Sequence, residues 1–388
     1  MARIDSLGNF LTDVAEAIRT KKGTTDIIPA SDFDTEIASI ESGGGSGNTF
    51  TYYANDTSQT PASSIKGINI INNEKDIPAY AYYHNSGTYR NYTKEIIKTV
   101  TIGEKTETIG ERAFYYGVPV VIPDNNNLKS IGDRCFYYGL FEQNEIKLPN
   151  ITSIESNAFA NTTGLNKIDF GEHLKEIPQN CCSNANIEEV VITNVEKIQK
   201  NAFSKTKLTT VDGPNVTYLG ESAFSTCTDL TDFNLPNITS VPTNAFYSCT
   251  SLTKLSFNKE GFSIGGSCPF GKCTGLTQLS FNGISIGNSS NSSNAILYGC
   301  TNLVAVWVKT DTYLSRVAPY TFFNCTGLKR IYIDYPRATV EADKNYATLW
   351  SNNTVAEGCI VICNDDEGWI TQEAFDAIDW KIELEASA

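Results

Sequence analysis

Eleven cysteines and two histidines are the residues of this 388-residue chain best able to hold a metal, cross-link or attack a substrate. A zinc centre needs several such ligands converging on one point. His84 and His173 lie far apart in the sequence. The close cysteine pairs are Cys181-Cys182, Cys268-x4-Cys273 and Cys359-x3-Cys363. No Gly-rich phosphate loop, metal-spaced histidine set or nucleophile elbow is present. Acidic residues are plentiful, but no carboxylate pair stands out in a register suited to glycoside cleavage. No catalytic residue, metal or cofactor is therefore assigned. Two aromatic sets could instead do binding chemistry. Trp307 and Tyr332, with Lys329 and Arg330 close by, offer flat apolar faces with polar edges, which suit a sugar ring or a protein partner. The competing reading buries this pair beneath the C-terminal segment. A second set comprises Tyr82, Tyr83, Tyr115, Tyr116, Tyr137 and Tyr138, either as contact surface or as edge packing.

The elements that position these residues are repeats. A segment of the form Ile-x-x-x-Ala-Phe recurs as IGERAFYYG at Ile109, IGDRCFYYG at Ile131, IESNAFANT at Ile154 and IQKNAFSKT at Ile198. LGESAFSTC at Leu219 and VPTNAFYSC at Val241 continue it. Its aromatic slot falls at Phe114, Phe136, Phe159, Cys182, Phe203, Phe224, Phe246, Phe270, Leu297 and Phe322, in steps of 21 to 27 residues. A second pattern keeps step with it, as in Leu165-x-x-Ile168-x-Phe170, Leu252-x-x-Leu255-x-Phe257 and Leu328-x-x-Ile331-x-Ile333. This period is too short for two helices and suits one strand plus a tight turn or short helix. One unit cannot bury its apolar side alone, so stacked units must line their strands into a parallel sheet. The outward strand position then runs Thr101, Val121, Lys147, Asp169, Val191, Asp212, Asn234, Ser256, Ser280, Trp307 and Tyr332.

The same register accounts for the cysteines. Cys227, Cys249, Cys273, Cys300 and Cys325 each follow the aromatic slot by three residues, while Cys135 and Cys181 replace the small Ala before it. Stacked in successive repeats, they read as small buried side chains, ahead of disulfides and further ahead of metal ligands. Asn-x-Thr triplets such as Asn150-Ile-Thr and Asn237-Ile-Thr read as repeat architecture rather than glycosylation sites.

The LxxLxL strand, the IPxxAFxxC segment and the period near 22 resemble the BspA-like leucine-rich repeat family from about Ile70 to Tyr335. That resemblance implies an α/β repeat solenoid with a short parallel sheet on one face. Insertions such as 288–293 depart from the pattern. The domain reading is a helical hairpin at 1–41, a Gly/Ser linker at 42–48, a solenoid with its N-terminal cap at 49–335, and a C-terminal cap at 336–388.

In the hairpin, Leu7, Phe10, Leu11, Val14 and Ile18 form one apolar stripe, and Phe33 and Ile37 share a face of the second helix. Helices this short are marginal alone, so the pair must dock on something. The stripe's spacing also permits a trimeric coiled coil. The segment LGNFLTDVAEAIRTKKGTTDIIPASDFDTEIASI resembles the N-terminal element of tail-associated proteins in phages of Gram-positive bacteria, which implies attachment to a virion. A formal net charge of −14 argues against nucleic acid. No run approaches 18 apolar residues, so membrane insertion is not expected. The start of the chain is amphipathic rather than a secretory signal, which points to assembly in the host cytoplasm. The expectation is a non-enzymatic virion protein of tail, baseplate or head fibre. It would join other virion proteins through the hairpin and display the solenoid to a host-surface glycan or protein. A bacterial adhesin of the same repeat family is the alternative, and a glycan-degrading enzyme ranks below both.

Overall fold

The computed structural model describes residues 68–82, 97–264, 266–286, 295–309, 320–334, 359–363 and 381–384. The chain divides into two compact units, Met1–Asp169 and Phe170–Ala388. As far as Val241 each repeat contributes two short strands, beyond it the described strands come singly and are mostly longer, and the described strand pairs are parallel.

In the first unit one series comprises β1 (Ile68–Asn72), β3 (Ile97–Ile102), β5 (Val120–Val121), β7 (Glu145–Lys147) and β9 (Lys167–Asp169). The other comprises β2 (Asp76–Ile77), β4 (Thr108–Ile109), β6 (Ser130–Ile131) and β8 (Ser153–Ile154), hydrogen-bonded in that order. In the second unit β10 (Glu176–Ile177), β12 (Lys197–Ile198) and β14 (Tyr218–Leu219) form one sheet. β11 (Glu189–Val191), β13 (Thr210–Asp212) and β15 (Asp232–Asn234) belong to the longer-strand series, with β13 paired to β15. A seven-stranded sheet then runs through β16 (Ser240–Val241), β17 (Lys254–Ile264), β18 (Gln278–Ile286), β19 (Ala305–Lys309), β20 (Arg330–Asp334), β21 (Ile360–Cys363) and β22 (Lys381–Leu384). Parallel pairing thus continues past Tyr335, through Ile331 opposite Val361 and Val361 opposite Ile382. Apart from β5, the two-residue strands end on a buried Ile, Leu or Val beside a more exposed residue, because successive strand side chains face opposite ways.

The third element of each repeat is a turn, and here the α/β expectation needs correcting. Among the described residues there is no helix. The Ala-Phe segments hold pairs of left-handed residues four positions apart: Arg112 and Tyr116, Arg134 and Tyr138, Asn157 and Asn161 in the first unit. Asn180 and Asn184, Asn201 and Lys205, Ser222 and Thr226, and Asn244 and Ser248 repeat this in the second. A right-handed helix cannot contain such residues. Their amides also go elsewhere. Arg112, Phe114 and Tyr116 donate to the carbonyls of Asp133, Cys135 and Tyr137 in the next repeat at 2.8, 2.8 and 2.9 Å. Asn201, Phe203 and Lys205 do the same to Glu221, Ala223 and Ser225. The intervening amides close local turns, as from Gly117 to Phe114. Successive repeats are therefore laced on their turn side as well as along their strands. The hairpin at 1–41, the linker and the 49–67 segment lie outside the described residues, as do the insertions at 287–294 and 310–319.

Aromatic rings fill the core slot. Tyr82, Phe114, Phe136 and Phe159 stack in sequence at 4.9, 5.4 and 5.3 Å in the first unit. Phe203, Phe224, Phe246 and Phe270 stack at 5.6, 5.6 and 5.7 Å in the second. All eight rings are fully buried, and each adds roughly 2–3 kcal/mol of transfer free energy to its repeat. Tyr82 thus belongs to the core rather than to a surface set, and its hydroxyl accepts a bond from Asn72 at 3.0 Å. Asparagines of the Asn-x-Thr triplets tie one repeat to the one before it. Asn150 donates to the Asn126 carbonyl at 3.3 Å, and Asn215 and Asn237 donate to Thr193 and Pro214 at 2.8 and 2.6 Å.

Candidate binding surfaces

The cysteines are accounted for by geometry that rules out most chemistry. Ten are free and buried. Cys227, Cys249, Cys273 and Cys300 donate to the carbonyls of Phe203, Phe224, Phe246 and Phe270 at 3.0 to 3.1 Å, and Cys325 donates to Leu297. Each thiol thus satisfies the carbonyl of the core residue one repeat back. Thr162 and Thr206 hold the equivalent place, each bonded to the Phe carbonyl of its own turn at 2.9 and 2.8 Å. Burial pushes Cys227 up to about 11 and Cys273 and Cys359 up to about 12. Thiols held neutral this way are poor nucleophiles and poor ligands. Among the described residues no group of three His, Cys, Asp or Glu could hold a metal. Among the described residues there is no helix long and apolar enough to cross a membrane.

Two surfaces remain. In the second unit the strand register aligns the outward row: Ser256 opposite Ser280, Ser280 opposite Trp307, and Trp307 opposite Tyr332. Trp307 is half-buried and partnered, while Lys329 and Arg330 are exposed at the entry to β20. The structure therefore makes Trp307 and Tyr332 nearest neighbours across two strands. On the preceding side the register continues through Ser280 and Ser256, so the two aromatic positions follow a run of small polar ones. The attachment residues Leu7, Phe10, Leu11, Val14, Ile18, Phe33 and Ile37 lie outside the described residues.

In the first unit the turn edge carries the second surface. Tyr115 stacks on Tyr137 at 5.2 Å and Tyr116 on Tyr138 at 4.5 Å. Within each turn the two tyrosines meet edge-on at 4.8 Å. Tyr138 is 44% exposed. Tyr116 and Tyr138 hold φ of 50° and 54°, a left-handed conformation that costs about 1–2 kcal/mol for a residue bearing a Cβ. Bulky side chains there are uncommon, and such strain concentrates at functional positions. Sequence periodicity marked these tyrosines as a cluster but could not show that two of them are strained. Farther along the edge, Arg112 donates to the Tyr80 hydroxyl at 2.6 Å and pairs with Glu111. Burial opposes the Arg112 charge, but the Tyr80 bond and Glu111 outweigh it and raise its pKa.

Parallel strands, laced turns and stacked rings repeating about every 22 residues define a leucine-rich-type β-solenoid. Residues 88–209 and 196–329 match the family described as BspA type leucine rich repeat region, and the chain belongs to that family. Among solved structures it is similar to a leucine rich cell surface protein from Faecalibacterium prausnitzii A2-165, at 19% identity over 80% of this chain and 92% of that one, with a TM-score of 0.40. It is also similar to a leucine-rich repeat protein from Bacteroides ovatus, at 18% identity over 80% and 92%, with a TM-score of 0.45. The pneumococcal vaccine antigen PcpA matches at 15% identity over 76% and 90%, with a TM-score of 0.40. No curated protein matches the chain.

Proposed function

We propose that this chain is a non-enzymatic phage virion protein, carried on a tail, baseplate or head fibre, whose solenoid engages a glycan or protein of the host surface. The observation that supports the binding half is the strand register that sets Trp307 opposite Tyr332, with Lys329 and Arg330 exposed at the entry to the same strand. Repeats laced along strands and turns keep such side chains fixed in advance, so ordering them on contact costs little. The virion half rests on the amphipathic stripe of Leu7, Leu11, Val14 and Ile18 and on the Gly/Ser-rich 42–48 segment. That pattern supports docking to other virion proteins, as one copy or as a trimer, with assembly in the host cytoplasm.

The test is saturable binding of the labelled full chain to Gram-positive cells and their purified walls. Binding to one strain, weakened by Trp307→Ala with Tyr332→Ala, is the expected result. A folded chain that binds none of them would leave only a decorating role. Antibody raised against the solenoid separates the adhesin alternative. Labelling of purified phage particles supports the virion reading, and labelling of uninfected bacterial surfaces sinks it.

A further inference from the structure

The tyrosine edge of the first unit stops at a definite point. Tyr116 stacks on Tyr138, and Tyr115 on Tyr137. The next turn, whose Ala160 carbonyl accepts the Tyr138 amide at 3.0 Å, offers Ala160 and Asn161 at the corresponding positions. Neither can continue a stack of rings. The last ring, Tyr138, is left 44% exposed. The fold itself does not call for a tyrosine there, because Asn161, Asn184 and Asn324 hold the same left-handed place in other repeats. Asn tolerates that backbone far better than an aromatic residue does. Tyr116 and Tyr138 are therefore strained residues whose rings add nothing to the core, which is built from Phe114, Phe136 and Phe159.

We propose that the end of the Tyr116–Tyr138 stack binds a neutral pyranose unit of a surface polysaccharide, whose flat C–H face takes the place of a third ring. This rests on the surface-binding reading above and gives it a second site, on the turn edge of the first unit. A phenol ring presents an apolar face with a hydroxyl at its rim, which matches a sugar's own division into C–H face and hydroxyl rim. The charges of the two turns are paired within themselves, Arg112 with Glu111 and Arg134 with Asp133. The edge consequently favours an uncharged ligand over an anionic one.

The test is affinity electrophoresis of the full chain in native gels cast with soluble neutral polysaccharides, namely a β-glucan, an α-mannan and a galactan. At least one should retard the chain. Tyr138→Asn should weaken that retardation about tenfold in apparent Kd, while melting within a few degrees of the parent chain. Trp307→Ala should be retarded as the parent is. Retardation by none of the polysaccharides overturns the site, as does a Tyr138→Asn chain retarded like the parent. If Tyr138→Asn still binds host cells normally, the sugar site falls while the surface-binding function stands. If the Tyr138-dependent binding to cells survives periodate and is abolished by protease, the partner is a protein and the proposal is wrong.

Discussion

The turns of the two units close in different ways on the same backbone path. In the first unit Phe114 and Phe136 are followed by Tyr-Tyr-Gly, and a Cβ on Gly117 or Gly139 would lie 2.5 or 2.7 Å from the Phe carbonyl oxygen of its own turn. Glycine permits that tight closure, and the tyrosines turn outward. In the second unit Phe224 is followed by Ser225-Thr226-Cys227 and Phe246 by Tyr247-Ser248-Cys249, and each thiol turns inward to the preceding repeat. The Tyr-Tyr-Gly turns thus carry a paired ring stack on their outside, and the cysteine turns add a buried donor. The backbone ladder is common to both, so the turn sequence can change its outward face without changing the fold.

Alkaline pH should break this symmetry most strongly. The folded thiols hold their protons more tightly than unfolded ones, so unfolding releases protons above the ordinary thiol range. The stabilisation is complete below about pH 8.5 and is lost as pH climbs toward the raised values of about 11 for Cys227 and about 12 for Cys273. At pH 10 a single such thiol costs on the order of 2 kcal/mol. The second unit has a ladder of them from Cys227 to Cys325, whereas Cys135 stands alone among the described residues of the first. Iodoacetamide labelling followed residue by residue in a mass spectrometer should find every described cysteine protected at pH 7.5. Those of the second unit should then open together at pH 9–10, ahead of Cys135. Labelling of Cys135 first would contradict the comparison.

The core slots should behave alike. Phe136→Ala and Phe224→Ala each remove a fully buried ring stacked on both sides. Each should cost about 3–5 kcal/mol in urea unfolding. A difference of more than about 1 kcal/mol between them would show that the closure of the turn governs packing inside it.

Much of this was legible in the chain. The period, the aromatic slot and the neighbourhood of Trp307 and Tyr332 follow from spacing alone, because a parallel register repeats whatever the sequence repeats. The turn geometry was harder to read. Asn157, Asn161, Asn180 and Asn184 signal left-handed backbone, but Arg112, Tyr116, Lys205 and Thr226 at the same positions do not. The short-helix option therefore stayed open in the sequence. The thiol bonds were not legible either, since each depends on where a carbonyl of another repeat points. Cysteine composition showed only that the position is small and buried.

A smaller effect isolates those thiol bonds. Cys249→Thr keeps a donor, which in Thr206 at the equivalent place bonds the Phe carbonyl of its own turn, whereas Cys249→Val keeps the bulk and removes the donor. The Val variant should unfold about 1 kcal/mol more easily than the Thr variant. Equal stability would mean that a donor at this buried place contributes nothing beyond its bulk.

The smallest expected change is the most informative about the tyrosine edge. Tyr116→Asn removes one stacked and two edge-on contacts, the nearer two each worth about 0.5–1.5 kcal/mol and the one at 6.5 Å less. It also relieves a left-handed strain of about 1–2 kcal/mol. The two nearly cancel, so thermal melting should move by no more than a few degrees in either direction. A large loss of stability would mean that Tyr116 is needed to hold the turn, and the outward edge of the first unit would then be structural, like the thiol ladder of the second. An unchanged or higher melting temperature would leave the tyrosines without a role in folding and strengthen the case that they are kept for what they touch.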